Sequence, residues 1–207
     1  MVVYYGEKFN AWTHLIGALL AIAGVAWLLA LAASGGDGWK IASVAIYGAT
    51  LVLLYGASTA YHSVRGRAKA VLRKLDHLSI YLLIAGSYTP FCLVTLRGPW
   101  GWSLFGVVWA LAVIGMLQEL KPKSEARILS VVIYGVMGWI VLVAINPLLV
   151  SLGKAGFAWL AAGGCAYTLG IVFFAFDKRF RHWHGIWHLF VIAGSLLHFI
   201  AILLYVV

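Results

Sequence analysis

Residues 184–206 read HGIWHLFVIAGSLLHFIAILLYV, twenty-three positions without an Asp, Glu, Lys or Arg. As a helix rising 1.5 Å per residue, such a run spans about 35 Å, enough to cross a hydrocarbon core of about 30 Å. Six further apolar runs of similar length precede it, at residues 11–33, 40–63, 75–96, 100–120, 127–149 and 156–176. Together the seven occupy most of the 207 residues and leave no room for a second, water-soluble domain. Composition agrees: 64% of residues are hydrophobic, 10% are charged, and the mean hydropathy is +0.98. A water-soluble domain of this size would need far more polar surface. The expected fold is all-α, a single polytopic domain over 1–207 with seven transmembrane helices.

The first run is expected to be retained rather than cleaved. It is longer than the h-region of a secretory signal, Lys8 is offset by Glu7, and it carries His14. Cys92 and Cys165 both fall within apolar runs without C-x-x-C spacing, so they read as small buried side chains.

The net charge of +9 is explained by membrane orientation before any nucleic-acid partner is needed. With seven crossings, one face collects Lys8, RGRAKAVLRK (65–74), KPKSEAR (121–127) and DKRFR (177–181), twelve basic residues. The other face holds three: Lys40, Arg97 and Lys154. The positive-inside rule then places the N-terminus in the cytoplasm and the C-terminus outside. The expected location is the inner (plasma) membrane. The basic loops would also attract anionic headgroups.

Against this background the ionisable residues inside the runs stand out, because each is costly in lipid. STAYH places Ser58 and His62 near the end of the second run. KLDH places Asp76 and His77 at the start of the third, and HGIWH places His184 and His188 at the start of the seventh. In the expected topology His62, Asp76, His184 and His188 reach one depth near the cytoplasmic boundary from three helices. His184 and His188 are four apart, stacked on one helix face, as are Ser58 and His62. Three neutral imidazoles with an open position form a known catalytic zinc arrangement. The metal would lower the pKa of a bound water toward about 7, and Asp76 would accept its proton.

The remaining polar residues have plainer readings. His182 reads as interfacial. His77 is rotated about 100° from Asp76 and faces another neighbour. His198 lies about 15 Å deeper than His188 and suits an interhelical hydrogen bond. Glu7, Asn10 and His14 share a face, as a polar seam or as support for the metal ligands. Trp12, Trp39, Trp100, Trp102, Trp183 and Trp187 sit at run ends like an aromatic belt. Pro99 and Asn146-Pro147 mark helix boundaries, and Pro90 within GSYTP is expected to kink its helix.

EKFNAWTH (7–14), STAYH (58–62), LRKLDHLSIYLLIAGSYTP (72–90) and HWHGIWHLFVIAGSLLHF (182–199) together resemble the hemolysin III family. This is the bacterial branch of the progestin and adipoQ receptor superfamily. The resemblance runs the length of the chain. It implies a seven-helix fold with a cytoplasmic N-terminus and a buried zinc held by His62, His184 and His188. Ser58 and Asp76 would contact or orient the water on the zinc. The family name implies red-cell lysis, eukaryotic relatives imply ceramidase-like lipid-amide hydrolysis, and bacterial members imply a part in membrane homeostasis.

The expected function is therefore a zinc-dependent hydrolase acting on a membrane lipid amide or ester. The alternatives are a pore and a sensor of membrane state whose zinc is structural. A pore needs a polar path through the whole bilayer, and the outer half offers only His198 and a few hydroxyls. Haem fits poorly, since His184 and His188 on one helix cannot ligate opposite faces of one haem.

Overall fold

The computed structural model of the protein describes residues 7–120 and 126–207, and every regular element among them is helical. The helices are α1 (Lys8–Ser34), α2 (Gly38–Ser63), α3 (Gly66–Pro90), α4 (Pro99–Glu119), α5 (Ala126–Trp139), α6 (Ile145–Ala175) and α7 (Trp183–Tyr205). A π-helical turn, Phe91–Thr95, follows α3, and a 3₁₀ turn, Ile140–Ala144, joins α5 to α6.

α1 shows which solvent the fold is built for. Its inward face carries Ala11, Thr13, His14, Gly17, Ala18, Ala21, Val25, Leu28 and Ala32, spaced at three and four residues and mostly small. Its outward face carries Trp12, Ile16, Leu19, Leu20, Ile22 and Trp27, large apolar side chains left exposed. A water-soluble helix reverses this arrangement. Small residues inward let helices approach closely, and bulky ones outward are at home in lipid tails. Among the described residues, six helical segments are long and apolar enough to cross a membrane.

Five of the seven apolar runs fall in separate segments of that kind. The runs at 127–149 and 156–176 lie within a single 48-residue stretch, Ile128–Ala175. That stretch is not one straight rod. The 3₁₀ turn interrupts it, and Gly153 adopts φ 67° and ψ 172° inside α6, a conformation open to glycine but strained for other residues. The break falls in the gap between the two runs.

Consecutive helices α1–α2, α2–α3 and α6–α7 pack along their lengths, and α7 returns against α1. The end of α2, the first half of α3 and the starts of α1 and α7 thereby surround one region. Pro99 opens α4 and Asn146-Pro147 opens α6, as expected of residues that start helices well. Pro90 is the last residue of α3, and the π turn Phe91–Thr95 follows directly after it.

Three details differ from expectation. The basic stretch 65–74 is not a loop: α3 begins at Gly66, because its Ala, Lys, Arg and Leu are strong helix formers. Trp187 is not a belt residue. It packs on Phe174 at 4.6 Å and lines a cavity, since its place three residues after His184 puts it beside the seventh-run histidines. Cys165 is exposed on α6, whereas Cys92 is buried. In lipid an exposed thiol carries no cost in water contact, so burial is not required of it.

Candidate metal centre

His62 lies in the last turn of α2, and His184 and His188 lie in the first two turns of α7. One ring nitrogen from each lies within 4.8 Å of the other two, the separation expected of ligands around a single ion. The ring centroids of His62 are 5.1 Å from both His184 and His188, and those two are 4.8 Å apart. The four-residue spacing on α7 produces the last contact, and the close approach of α1, α2 and α7 produces the others.

The outer nitrogens fix the chemistry of the inner ones. His62 Nδ1–H donates to Glu7 Oε2 at 2.6 Å, and His184 Nδ1–H donates to Asp177 Oδ2 at 2.7 Å. His188 Nδ1 lies 3.1 Å from the backbone carbonyl of Asn10 and 3.1 Å from Thr13 Oγ1. A carbonyl oxygen only accepts, so His188 carries its proton on Nδ1. Each Nε2 is then a bare lone pair. All three are buried and have no hydrogen-bond partner among the described residues. Three buried acceptors facing one another without a donor are unfavourable unless a cation sits between them. Carboxylate or carbonyl support behind each ring is how metal-binding histidines are held. The donor set fits a metal ion of borderline softness, zinc among them.

α1 supplies much of this support. Glu7 accepts from His62, from Lys69 Nζ at 3.0 Å and from Asn10 Nδ2 at 3.1 Å. Burial pushes its carboxyl up, but these donors outweigh burial and hold it at about 2. Gly185, one residue past His184, allows the approach. A Cβ there would meet Phe9 at 2.1 Å and Asn10 Oδ1 at 2.9 Å.

Ser58, one turn before His62, is buried, and its Oγ has no hydrogen-bond partner among the described residues. Asp76 is 4% exposed and lies ten residues into α3, not at its start. It is not one of the three clustered donors. It lines a cavity of about 110 Å³ that runs inward between Leu54, Ile80, Leu83, Trp187 and Val191. On the other side of the histidines a polar vestibule of about 640 Å³ is bordered by Glu7, His62, Arg73, Asp177, Lys178 and His184. Tyr134 and Phe174 border both spaces. His62 and His184 thus border the polar chamber, while Asp76 and His14 line the apolar one.

The other polar residues resolve as follows. His77 pairs with the buried Glu119 at 2.7 Å, and Ser130 Oγ donates to the same carboxylate at 2.8 Å. His198 Nε2 donates to the carbonyl of Leu160 on α6 at 3.2 Å. His182, exposed with φ 66°, caps α7. His14 is stacked on His188 and is not a member of the cluster. One supporting residue escaped the sequence: Asp177 is hidden within a basic run whose charge the topology already explained. Asn10, read there as seam or support, supports His188 through its backbone carbonyl.

Fold and site define a multi-pass helical membrane protein with a buried three-histidine cluster. The model of the family described as "Haemolysin-III related" matches residues 3–199. The "Hemolysin-3 homolog" of Bacillus subtilis (strain 168) is 42% identical over 202 residues, 97% of this chain and 94% of that protein. The "Monocyte to macrophage differentiation factor" of Homo sapiens is 32% identical over 208 residues, 96% and 83% of the two chains. The "Adiponectin receptor protein" of Drosophila melanogaster is 27% identical over 220 residues, 93% of this chain and 49% of that protein. The chain belongs to the hemolysin III family, within the progestin and adipoQ receptor superfamily.

Proposed function

We propose that the chain crosses the membrane seven times with its N-terminus in the cytoplasm, binds zinc through His62, His184 and His188, and hydrolyses an amide or ester bond of a membrane lipid. The break at Gly153 divides the Ile128–Ala175 stretch into two crossings. The twelve-to-three distribution of basic residues then sets the orientation. The observation that carries the chemistry is the convergence of three partnerless Nε2 atoms, with the buried Ser58 one turn from His62 and the buried Asp76 lining the adjacent apolar cavity.

Bound zinc supplies Lewis acidity and a water ionisable near neutral pH. The chain supplies the rest. Glu7, Asp177 and the Asn10 carbonyl fix the three rings. The Ser58 hydroxyl orients the attacking water. Asp76 accepts its proton as oxygen adds to the acyl carbon, then returns the proton to the departing nitrogen or oxygen as that bond breaks. The products are a carboxylic acid and an amine or alcohol. An acyl chain suits the apolar cavity, and the polar part of the lipid suits the vestibule.

The relatives' name "Hemolysin-3" favours a second reading, a membrane-lysing pore. The apolar lining beyond the histidines speaks against a water-filled path. Dye release from vesicles containing the purified protein tests it directly.

The first experiment is metal content by mass spectrometry on detergent-purified protein. The expected result is about one zinc per chain, lost in His62→Ala and His188→Ala. Asp76→Asn should keep the metal and lose lipid-amide and lipid-ester hydrolysis. Wild-type protein that carries no stoichiometric metal and cannot be loaded would overturn the proposal.

A further inference from the structure

His14 is the histidine the metal centre leaves unused. It lies in the second turn of α1 and is 2% exposed. Neither of its ring nitrogens has a hydrogen-bond partner among the described residues. The three clustered histidines each anchor Nδ1 and leave one nitrogen over; His14 leaves both. Whatever its tautomer, one of those nitrogens is a buried N–H donor that makes no well-formed hydrogen bond, the backbone of His188 being the acceptor on its side.

The surroundings hold the ring firmly. It lies flat on His188, with centroids 3.5 Å apart and planes 12° apart, and edge-on to Tyr55 at 5.0 Å and 84°. That geometry excludes it as a further ligand of the same ion. An imidazole lone pair lies in the plane of its ring, so an ion bound by His188 lies in the plane of His188. His14 sits in a parallel layer about 3.5 Å away and cannot aim a lone pair at that ion. The ring also forms part of the wall of the apolar cavity, which Asp76 lines as well. Such a donor calls for an acceptor from outside the protein, and the cavity that the ring lines is where one can enter.

We infer that His14 donates a hydrogen bond to the acyl carbonyl oxygen of the lipid in the site. This rests on the hydrolase reading above and assigns the carbonyl its protein partner. A molecule whose chain occupies the cavity brings its carbonyl against His14 and Asp76, which both line it, His14 lying flat on His188 of the cluster. The donor is a neutral imidazole N–H, so no change of protonation is involved. His14 is then a catalytic residue, because the bond it makes strengthens as charge develops on that oxygen. Its stack on His188 holds the donor in register with the metal centre.

The test uses the full chain loaded with cobalt(II), whose visible absorption reports on the coordination sphere, titrated with lauroyl hydroxamic acid. His14→Phe keeps a ring on His188 and against Tyr55 but has no N–H. The expected result is unchanged metal content, an unchanged cobalt spectrum without the probe, and affinity for the probe lower by about tenfold. His14→Gln, which restores an N–H donor, should recover most of that loss; it also serves if the phenylalanine variant folds poorly. Wild-type affinity in His14→Phe, or no recovery in His14→Gln with metal intact, reduces the ring to packing and overturns the inference. Loss of metal in His14→Phe overturns it too, by making the residue part of the ion's binding. Wild-type protein that binds cobalt but not the probe would instead bring down the hydrolase reading itself, and this inference with it.

Discussion

Each clustered imidazole is held by a different acceptor: a carboxylate on α1, a carboxylate in the turn before α7, and a backbone carbonyl of α1. The two carboxylates can be removed without touching a ligand. Glu7→Gln and Asp177→Asn should each lower metal affinity by about 10–100-fold, read by competition with a chelator, while helix content stays at the wild-type level. The three clustered histidines themselves were legible in the sequence. Four-residue spacing and the rarity of histidine within apolar runs single out His62, His184 and His188. Asp177 was not legible, because a lone acid among Lys178, Arg179 and Arg181 reads as part of a charged loop. The Asn10 carbonyl was invisible for a simpler reason: every residue has one.

At the scale of the helix, the site depends on how closely α1 approaches α7. Gly185 has no room for a Cβ against Phe9 and Asn10. Gly185→Ala should therefore shift α1 away from α7 and weaken metal binding about tenfold or more, as displaced ligand supports do. Gly106→Ala is the matched control, since nothing lies within 4 Å of the added methyl. It should leave metal affinity unchanged and be neutral or slightly stabilising in thermal unfolding. At Gly153 the obstacle is backbone conformation. Gly153→Ala must hold an alanine at φ 67° and should cost about 1–2 kcal/mol, seen as a lower unfolding temperature. Run lengths and prolines located most helix boundaries from sequence alone. The start of α3 was missed because hydropathy marks where lipid begins, not where the helix begins. Its first turns are polar yet rich in helix formers.

For the whole molecule, the proposed topology is checked by introducing single cysteines into a cysteine-free background. An impermeant maleimide added to intact cells should label Lys154→Cys and leave Lys178→Cys unlabelled until the membrane is opened. Labelling of both from outside would show that the Ile128–Ala175 stretch does not cross as two helices. That the chain is a helical membrane protein could be read from composition. The count over that stretch could not be read as firmly, because one turn of 3₁₀ helix and one glycine decide it. The three inward-facing lone pairs carry a further consequence, one of thermodynamic linkage. A site that exists only in the folded chain ties folding to the activity of its ion. Saturation at about a hundred times the dissociation constant adds about 2.7 kcal/mol. The unfolding temperature of the purified protein should therefore climb with free zinc in a metal buffer and stay flat in His188→Ala. Under the proposed zinc binding, the chain's persistence in the membrane is set jointly by its own packing and by the zinc its cell keeps available.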